Sequence, residues 1–281
     1  MNYRNILEKG SSILKNNLIS TPKLDAELLL SLIICKSREG ILLNLEQRLS
    51  KNEIKKFNDL INRRIKKEPI SQITGRRFFW KSEFSVDKNV LTPRFETELL
   101  VEQILKDFKF SDKLRILDVG IGSGCILLSL LSEKNNWRGV GIDISKMAIN
   151  IAKLNAKIQQ IDNRVKFINS HIDNFFDDKY DIVVSNPPYI NIYNYNNLDL
   201  GVKGYEPRIA LYGGIDGTKI IEKVIKKSNK ILKNGGTLAM EIGIGQFFKV
   251  CELLRNNSFF ISKTVEDYQK IRRCLIAKKI N

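Results

Sequence analysis

Two short stretches of this chain carry residue types and spacings that could do chemistry. The first is Asp118-Val119-Gly120-Ile121-Gly122-Ser123-Gly124-Cys125, followed about 20 residues on by Asp143 within Gly141-Ile142-Asp143-Ile144. Glycines spaced this way let a backbone turn sharply and approach a ligand where a Cβ would collide. A dinucleotide fingerprint reads G-x-G-x-x-G, whereas the spacing here is G-x-G-x-G and position 125 is Cys. Asp118, directly ahead of the loop, would repel a pyrophosphate but attract a cation. An acid at position 143 can accept hydrogen bonds from both hydroxyls of a ribose. A nucleoside with a cationic amino-acid end satisfies both acids, and S-adenosyl-L-methionine is that ligand. Asp118, Gly120, Ile121, Gly122, Ser123, Gly124 and Asp143 are the residues expected to hold it.

The second stretch is Asn186-Pro187-Pro188-Tyr189, which follows the apolar run Ile182-Val183-Val184-Ser185. Two successive prolines fix two φ angles and remove two N–H donors, leaving carbonyls as acceptors. Asn186 adds a side-chain carbonyl on a short arm. An amide or aromatic amino nitrogen is a poor nucleophile because its lone pair is delocalised. If Asn186 and the Pro187 carbonyl each accept one N–H, the NH2 group is fixed and its lone pair can turn towards an electrophilic methyl. Catalysis would then rest on alignment for in-line displacement and on stabilising positive charge as it grows on nitrogen. Asn186, Pro187 and Tyr189 are the expected catalytic residues. The substrate clamp is Asn186, Pro187, Pro188 and Tyr189, with the Tyr189 ring packing a planar group. No strong general base is required, and the one histidine, His171, reads as a strand-end surface residue.

Those residues need a scaffold, and the chain predicts one. From residue 115 onward strands and helices alternate, which argues a doubly wound, mostly parallel sheet covered on both faces. Strands are expected at 115–119, 139–144, 165–169, 181–185 and 237–242, with helices at 126–133, 146–158, 219–232 and 247–256. Two late strands, 259–265 and 273–278, form an antiparallel hairpin, as in the class I methyltransferase architecture and not in dehydrogenases. Ligands bind beyond the carboxyl ends of strands in such sheets, so both chemical stretches fall over one crevice. Residues 1–75 read as a small helical bundle, with Pro22 in a first helical turn, a capping box at Ser50 and Glu53, and Pro69 closing it. Residues 76–93 read as a hairpin-like connector, and 97–108 as a helix opening the domain that runs from 94 to 281.

Composition narrows the class. Of 281 residues 43% are hydrophobic and 28% charged, the balance of a globular protein. No apolar run approaches the roughly 20 residues a membrane span needs, and no signal-peptide pattern opens the chain. A cytoplasmic place and no membrane partner are the expectations. Four scattered cysteines and a single histidine fit neither a disulfide framework nor a zinc site, so no metal is expected. The net charge of +16 is spread along the chain: residues 1–75 hold 14 Lys and Arg against 8 Asp and Glu. It is compatible with work near RNA or ribosomes without demanding it, and direct nucleic-acid binding is not the expectation.

Several further pieces make the whole chain resemble one family, the peptide chain release factor glutamine methyltransferases (HemK/PrmC). They are Pro22-Lys23-Leu24-Asp25-Ala26-Glu27-Leu28-Leu29, Pro69 to Gly75, Phe78-Phe79-Trp80, and Val90-Leu91-Thr92-Pro93-Arg94-Phe95-Glu96-Thr97-Glu98. The glycine loop, Ser185 to Ile190, Glu206-Pro207 and Glu241-Ile242-Gly243 complete the set. The resemblance implies methylation, with S-adenosyl-L-methionine, of the side-chain nitrogen of the glutamine in the Gly-Gly-Gln motif of class I release factors. It implies that residues 1–75 recognise that protein substrate, and it adds Asn174 and Asn186 to the cofactor contacts. Three positions depart from the family pattern. Phe95 and Lys270 stand where proline and glycine are usual, and Asn174 stands where an aromatic often covers the adenine.

Two other readings compete. An adenine-N6 or other nucleic-acid amino-methyltransferase would share the Asn-Pro-Pro-Tyr motif and suit the charge, but no separate base-recognition domain is visible. A non-catalytic RNA- or ribosome-binding protein on the same fold would have no use for Gly120, Asp143 and Asn186 together.

Overall fold

The computed structural model describes residues 1–177 and 179–280. Two units emerge, one of residues 1–76 with 199–205 and one of residues 77–198 with 206–281. Among the described residues no helix is long and apolar enough to cross a membrane.

The first unit is helical: α1 (Tyr3–Asn16), α2 (Pro22–Ile34), α3 (Arg38–Leu42), α4 (Lys51–Ile65) and α5 (Ile70–Thr74). Pro22 opens α2, where its missing N–H costs nothing. Ser50 and Glu53 close the reciprocal capping box at the start of α4. Pro69 does not end the bundle. It precedes α5 as its N-cap, and Gly75 terminates that helix in the left-handed region. Tyr3, Ile6, Leu14, Leu29, Leu30, Phe57 and Ile61 make the core, each side chain stabilising by about 1.5–3 kcal/mol on burial. α1 and α4 approach closely at Gly10, where a Cβ would come within 2.7 Å of the Phe57 ring. Two acids on α2 are buried and each meets an arginine: Arg64 donates to Asp25 at 2.7 Å and Arg38 to Glu27 at 2.5 Å. Acids this buried persist only when paired.

The second unit begins with a two-stranded sheet, β1 (Arg76–Phe79, its first residue counted with the helices) and β2 (Ser82–Ser85). This is a hairpin, and Phe79 and Phe84 anchor it by packing edge to face inside the main core. Then come α6 (Phe95–Asp107), β3 (Arg115–Val119), α7 (Cys125–Glu133), β4 (Arg138–Asp143), α8 (Lys146–Ile158), β5 (Val165–Asn169) and β6 (Tyr180–Ser185). After the short helices α9 (Ile192–Asn196), α10 (Leu200–Lys203) and α11 (Arg208–Leu211), the unit closes with α12 (Lys219–Ile231), β7 (Leu232–Glu241), α13 (Phe247–Asn256), β8 (Phe259–Glu266) and β9 (Arg272–Lys279). The helix α10 folds with the helical unit.

The seven strands run in the order β5-β4-β3-β6-β7-β9-β8. The first five are parallel and β9 pairs antiparallel with both β7 and β8. Alternating side chains feed two cores, as the strand period requires. Ile116, Ile182 and Ala239 face α6, α7 and α8, while Leu117, Val183 and Leu238 face α12 and α13. This is the class I methyltransferase sheet that the alternation predicts. β7 starts earlier than expected, at Leu232, because Lys233-Asn234-Gly235-Gly236 reads as a polar turn; its pairing with β6 does shift register across that stretch. The three short helices between β6 and α12 escaped the sequence, being too brief to show a period.

Two departures from the family pattern acquire physical content. Lys270 sits at φ +62, the region that favours glycine. Asp267 braces that turn by accepting from the backbone of Gln269 and Ile271 and from Arg273. Phe95 is the first residue of α6, a position that suits proline; here its ring lies 4.6 Å from the Arg77 guanidinium.

Candidate active site

Strand order reverses between β3 and β6, and the crevice opens at the carboxyl ends of those strands, as doubly wound sheets require. Its volume is about 490 Å³ and its walls are mostly apolar, the size and character of a small-molecule site.

On the β3–β4 side the wall is backbone. Gly120 and Ile121 donate to the Ile142 carbonyl at 2.9 and 3.0 Å, tying the loop to β4. Gly120 and Gly122 have φ of +74 and +54, and a Cβ at Gly120 would meet nothing within 4 Å. The loop therefore borders open space that side chains would fill. Asp143 joins it: Oδ2 accepts the Gly122 N–H at 3.0 Å and Oδ1 the Ser145 N–H at 2.8 Å. Each oxygen keeps a lone pair for a ligand. Burial raises the Asp143 carboxyl above its ordinary range, against those backbone donors. Beneath the loop Asp118 is 1% exposed, and neither of its side-chain oxygens has a partner among the described residues. Burial first lifts its carboxyl to about 7, with Asp143 adding to the rise; the Leu127 backbone N–H draws it down only in part, and does not reach hydrogen-bond geometry.

On the β6–β7 side the wall is side chain and proline. Asn186 donates from Nδ2 to Thr97 Oγ1 at 3.1 Å, and Thr97 donates to Glu241 Oε2 at 2.6 Å. Tyr189 donates its hydroxyl to Glu241 Oε1 at 3.1 Å. Glu206 accepts from Arg94 at 2.6 Å and from the Thr92 N–H. Thr92 and Arg94 thus share Glu206, Thr97 has Glu241, and Glu98 accepts the Trp80 N–H.

The crevice wall includes Gly120, Ile121, Gly122, Ser123, Asp143, Asn186, Pro187 and Pro188 among the residues the sequence singled out. Four others are not brought onto it. Asp118 lies under the loop. Gly124 caps α7, where a Cβ would come within 2.9 Å of Leu128. Asn174 is the exposed last residue of a 3-10 turn (Ile172–Asn174), and Tyr189 is anchored through its hydroxyl instead of lying open on the wall. Sequence reading missed Thr97, Ile144, Ser145, His171 and Ile172 as wall residues. His171 is half-exposed, and its Nδ1 accepts the Asp173 N–H at 3.2 Å, a local cap. An apolar Ile144, 46% exposed straight after a strand-end acid, was the available signal. Burial pushes the Cys125 thiol up to about 12, which works against its forming a thiolate. Among the described residues no group of three or more His, Cys, Asp or Glu is placed to hold a metal.

The open glycine cradle, the two free acceptor sites on Asp143 and the partnerless acid below fit a nucleoside bearing a cation. Solved structures agree on the fold. A methyltransferase from Pyrococcus furiosus matches with a TM-score of 0.53 at 16% identity over 70% of this chain and 89% of its own. Ribosomal protein L11 methylase from Lactobacillus delbrueckii subsp. bulgaricus matches at 0.52, 18% identical over 70% and 84%. Residues 94–197 match the family model for the methyltransferase small domain. Fold and site together define a class I S-adenosylmethionine-dependent methyltransferase.

Residues 5–75 match the family model for the PrmC N-terminal domain. A release factor glutamine methyltransferase from Caulobacter vibrioides is 38% identical over 95% of this chain and 92% of its own length. One from Clostridium acetobutylicum is 36% identical over 99% and 98%. The chain belongs to the release factor glutamine methyltransferase family. It also spans 57% of a bifunctional methyltransferase from Rickettsia typhi, at 34% identity.

Proposed function

We propose that this enzyme methylates the side-chain amide nitrogen of the glutamine in the Gly-Gly-Gln motif of class I release factors. The observation that carries the reading is Asn186, Pro187 and Pro188 on the wall of the same crevice as the glycine loop and Asp143. S-adenosyl-L-methionine, when bound, supplies a methyl group on a positively charged sulfur. Asp143 would hold its ribose hydroxyls and the loop from Gly120 to Ser123 its amino-acid end, over the charge of Asp118. Ile144 and Ile172 offer the apolar surface for the base, in place of the expected Asn174.

Asn186 Oδ1 and the Pro187 carbonyl accept one substrate N–H each, so the amide cannot rotate and its lone pair faces across the crevice. The same two oxygens stabilise the positive charge that grows on nitrogen. The surplus proton leaves from an N–H already directed at one of them and passes to water. Neither the Tyr189 hydroxyl nor the His171 imidazole is poised to take it earlier. Burial and Glu241 hold the Tyr189 phenol well above its ordinary value, and the His171 Nδ1 lone pair is already occupied.

Residues 1–75 are proposed to grip the release factor, and the reaction is placed in the cytoplasm with that substrate. A fragment starting at Arg77, with residues 199–205 replaced by a Gly-Ser linker, should bind cofactor yet lose transfer to intact release factor. The principal test offers labelled cofactor with a class I release factor, the same factor with the motif glutamine changed to alanine, DNA and RNA. Label should appear on the intact motif alone. Label on DNA or RNA with none on the release factor would overturn the reading in favour of a nucleic-acid amino-methyltransferase.

A further inference from the structure

The Asn186 side chain has two arms, and which one faces a substrate decides whether it can clamp an amide. An amide oxygen accepts an N–H, whereas an amide NH2 repels one. Nδ2 of Asn186 lies 3.1 Å from Thr97 Oγ1, which lies 2.6 Å from Oε2 of Glu241. A threonine hydroxyl has a single hydrogen to give. Burial raises the Glu241 carboxyl above its ordinary range, while the Thr97 and Tyr189 hydroxyls, donating to its two oxygens, favour the ionised form. Two bare acceptors at 2.6 Å would repel, so beside that carboxylate the Thr97 hydrogen points at Glu241. Asn186 then meets the Thr97 lone pair, and only its NH2 arm fits there. With the amide reversed, Thr97 would have to turn its hydrogen to Asn186 and leave Glu241 without that donor. Glu241 is itself fixed: it is 1% exposed, and its other oxygen accepts the Tyr189 hydroxyl at 3.1 Å.

From this geometry we infer that Thr97 and Glu241 are positioning residues that hold Asn186 with its carbonyl arm left for the acceptor amide. The inference rests on the amide-clamp reading of Asn186 proposed above. It gives a task to two sequence pieces that the chemistry had left unused, Thr97 on α6 and Glu241 at the end of β7. Tyr189 enters the same arrangement through its hydroxyl, since it braces Glu241 from the side away from Thr97.

The test uses the full chain and follows single-turnover methyl transfer to a release factor, with KM for that factor, cofactor affinity and thermal unfolding in parallel. Thr97→Val exchanges the hydroxyl for a methyl group and frees the Asn186 amide to turn over. Its rate should fall on the order of tenfold to a hundredfold, with KM and cofactor affinity held within about threefold. Thr97→Ser, which restores the hydroxyl, should recover the rate to within about threefold of wild type. On an Asn186→Ala background Thr97→Val should slow transfer no further, because the relay acts only through Asn186. Wild-type transfer by Thr97→Val, or an equal slowing with and without Asn186, would overturn the inference. Should Thr97→Val not fold, Thr97→Ala read the same way decides it. A wild-type chain that methylates no glutamine sinks the underlying reading, and the inference with it, so the two failures are told apart by the wild-type lane.

Discussion

The two sides of the crevice are built from different materials. On the β3–β4 side the ligand-facing groups are glycine backbone, held in place by hydrogen bonds to the Ile142 carbonyl and by the Asp143 carboxylate. On the β6–β7 side they are an amide and two prolines, held by buried hydroxyls and a buried acid. Backbone without Cβ atoms can follow the contour of a large ligand, which suits binding. A single polar arm pinned through a chain of hydrogen bonds sets one angle and little else, which suits alignment of a weak nucleophile. The contrast implies that damage to the first side should appear in affinity and damage to the second in rate.

The largest effect expected is on the aligned side. Asn186→Ala removes the carbonyl arm and should slow single-turnover transfer by on the order of 3 kcal/mol, roughly a hundredfold. Cofactor titration should change only a few-fold, and the melting temperature little, because one part-buried hydrogen bond of about 1 kcal/mol is lost and Thr97 keeps its bond to Glu241. Transfer near the wild-type rate would break the comparison, and an unfolded product would make Asn186 a folding residue.

Asp143→Ala should do the opposite. It removes an acceptor from two ribose hydroxyls, about 1.5–3 kcal/mol for each bond before solvent compensates. It also releases the Gly122 and Ser145 N–H groups, which loosens the loop itself. Calorimetry should show cofactor affinity at least about tenfold weaker, with the rate at saturating cofactor much less affected. Unchanged affinity would place the ribose elsewhere.

How much of this was legible beforehand follows the same divide. The sheet and both ligand stretches were readable, because a period of two, glycines at fixed spacing and a Pro-Pro pair are local signals. The partners of those stretches were not. Thr97 and Glu241 lie 144 residues apart in sequence and meet only because α6 packs beside the end of β7. Tyr189 was read as an open ring, since nothing local says that its hydroxyl would find a buried acid. Asn174 rests on resemblance alone and is not among the crevice-lining residues, whereas Ile144, which reads as an ordinary strand end, is one of them. Asp118 was placed correctly before the loop, yet its depth depended on how α7 closes over β3.

That depth gives the smallest of the expected effects and the one most sensitive to pH. Asp118 has no hydrogen-bond partner for its carboxylate oxygens among the described residues, and burial raises its carboxyl from 3.8 to about 7. Between those two values the folded protein keeps a proton that the unfolded chain has released. Stability should therefore fall as pH rises across that window and level off above it. Asp118→Asn cannot ionise, so it escapes this loss and gives up only part of it to a buried amide with poor partners. The variant should match wild type near pH 4 and become more stable towards pH 8, by on the order of 1–3 kcal/mol. At about 2–4 °C per kcal/mol for a unit of this size, the gap is measurable by thermal scans at several pH values. Cofactor affinity should move the other way, because the ionised acid under the loop attracts a cation and a neutral amide does not. The affinity loss should be confined to neutral and alkaline pH, where wild-type Asp118 is charged. A melting-temperature difference that stayed constant from pH 4 to 8 would show that Asp118 finds a partner in solution, and the loop side would then rest on Asp143 and backbone alone.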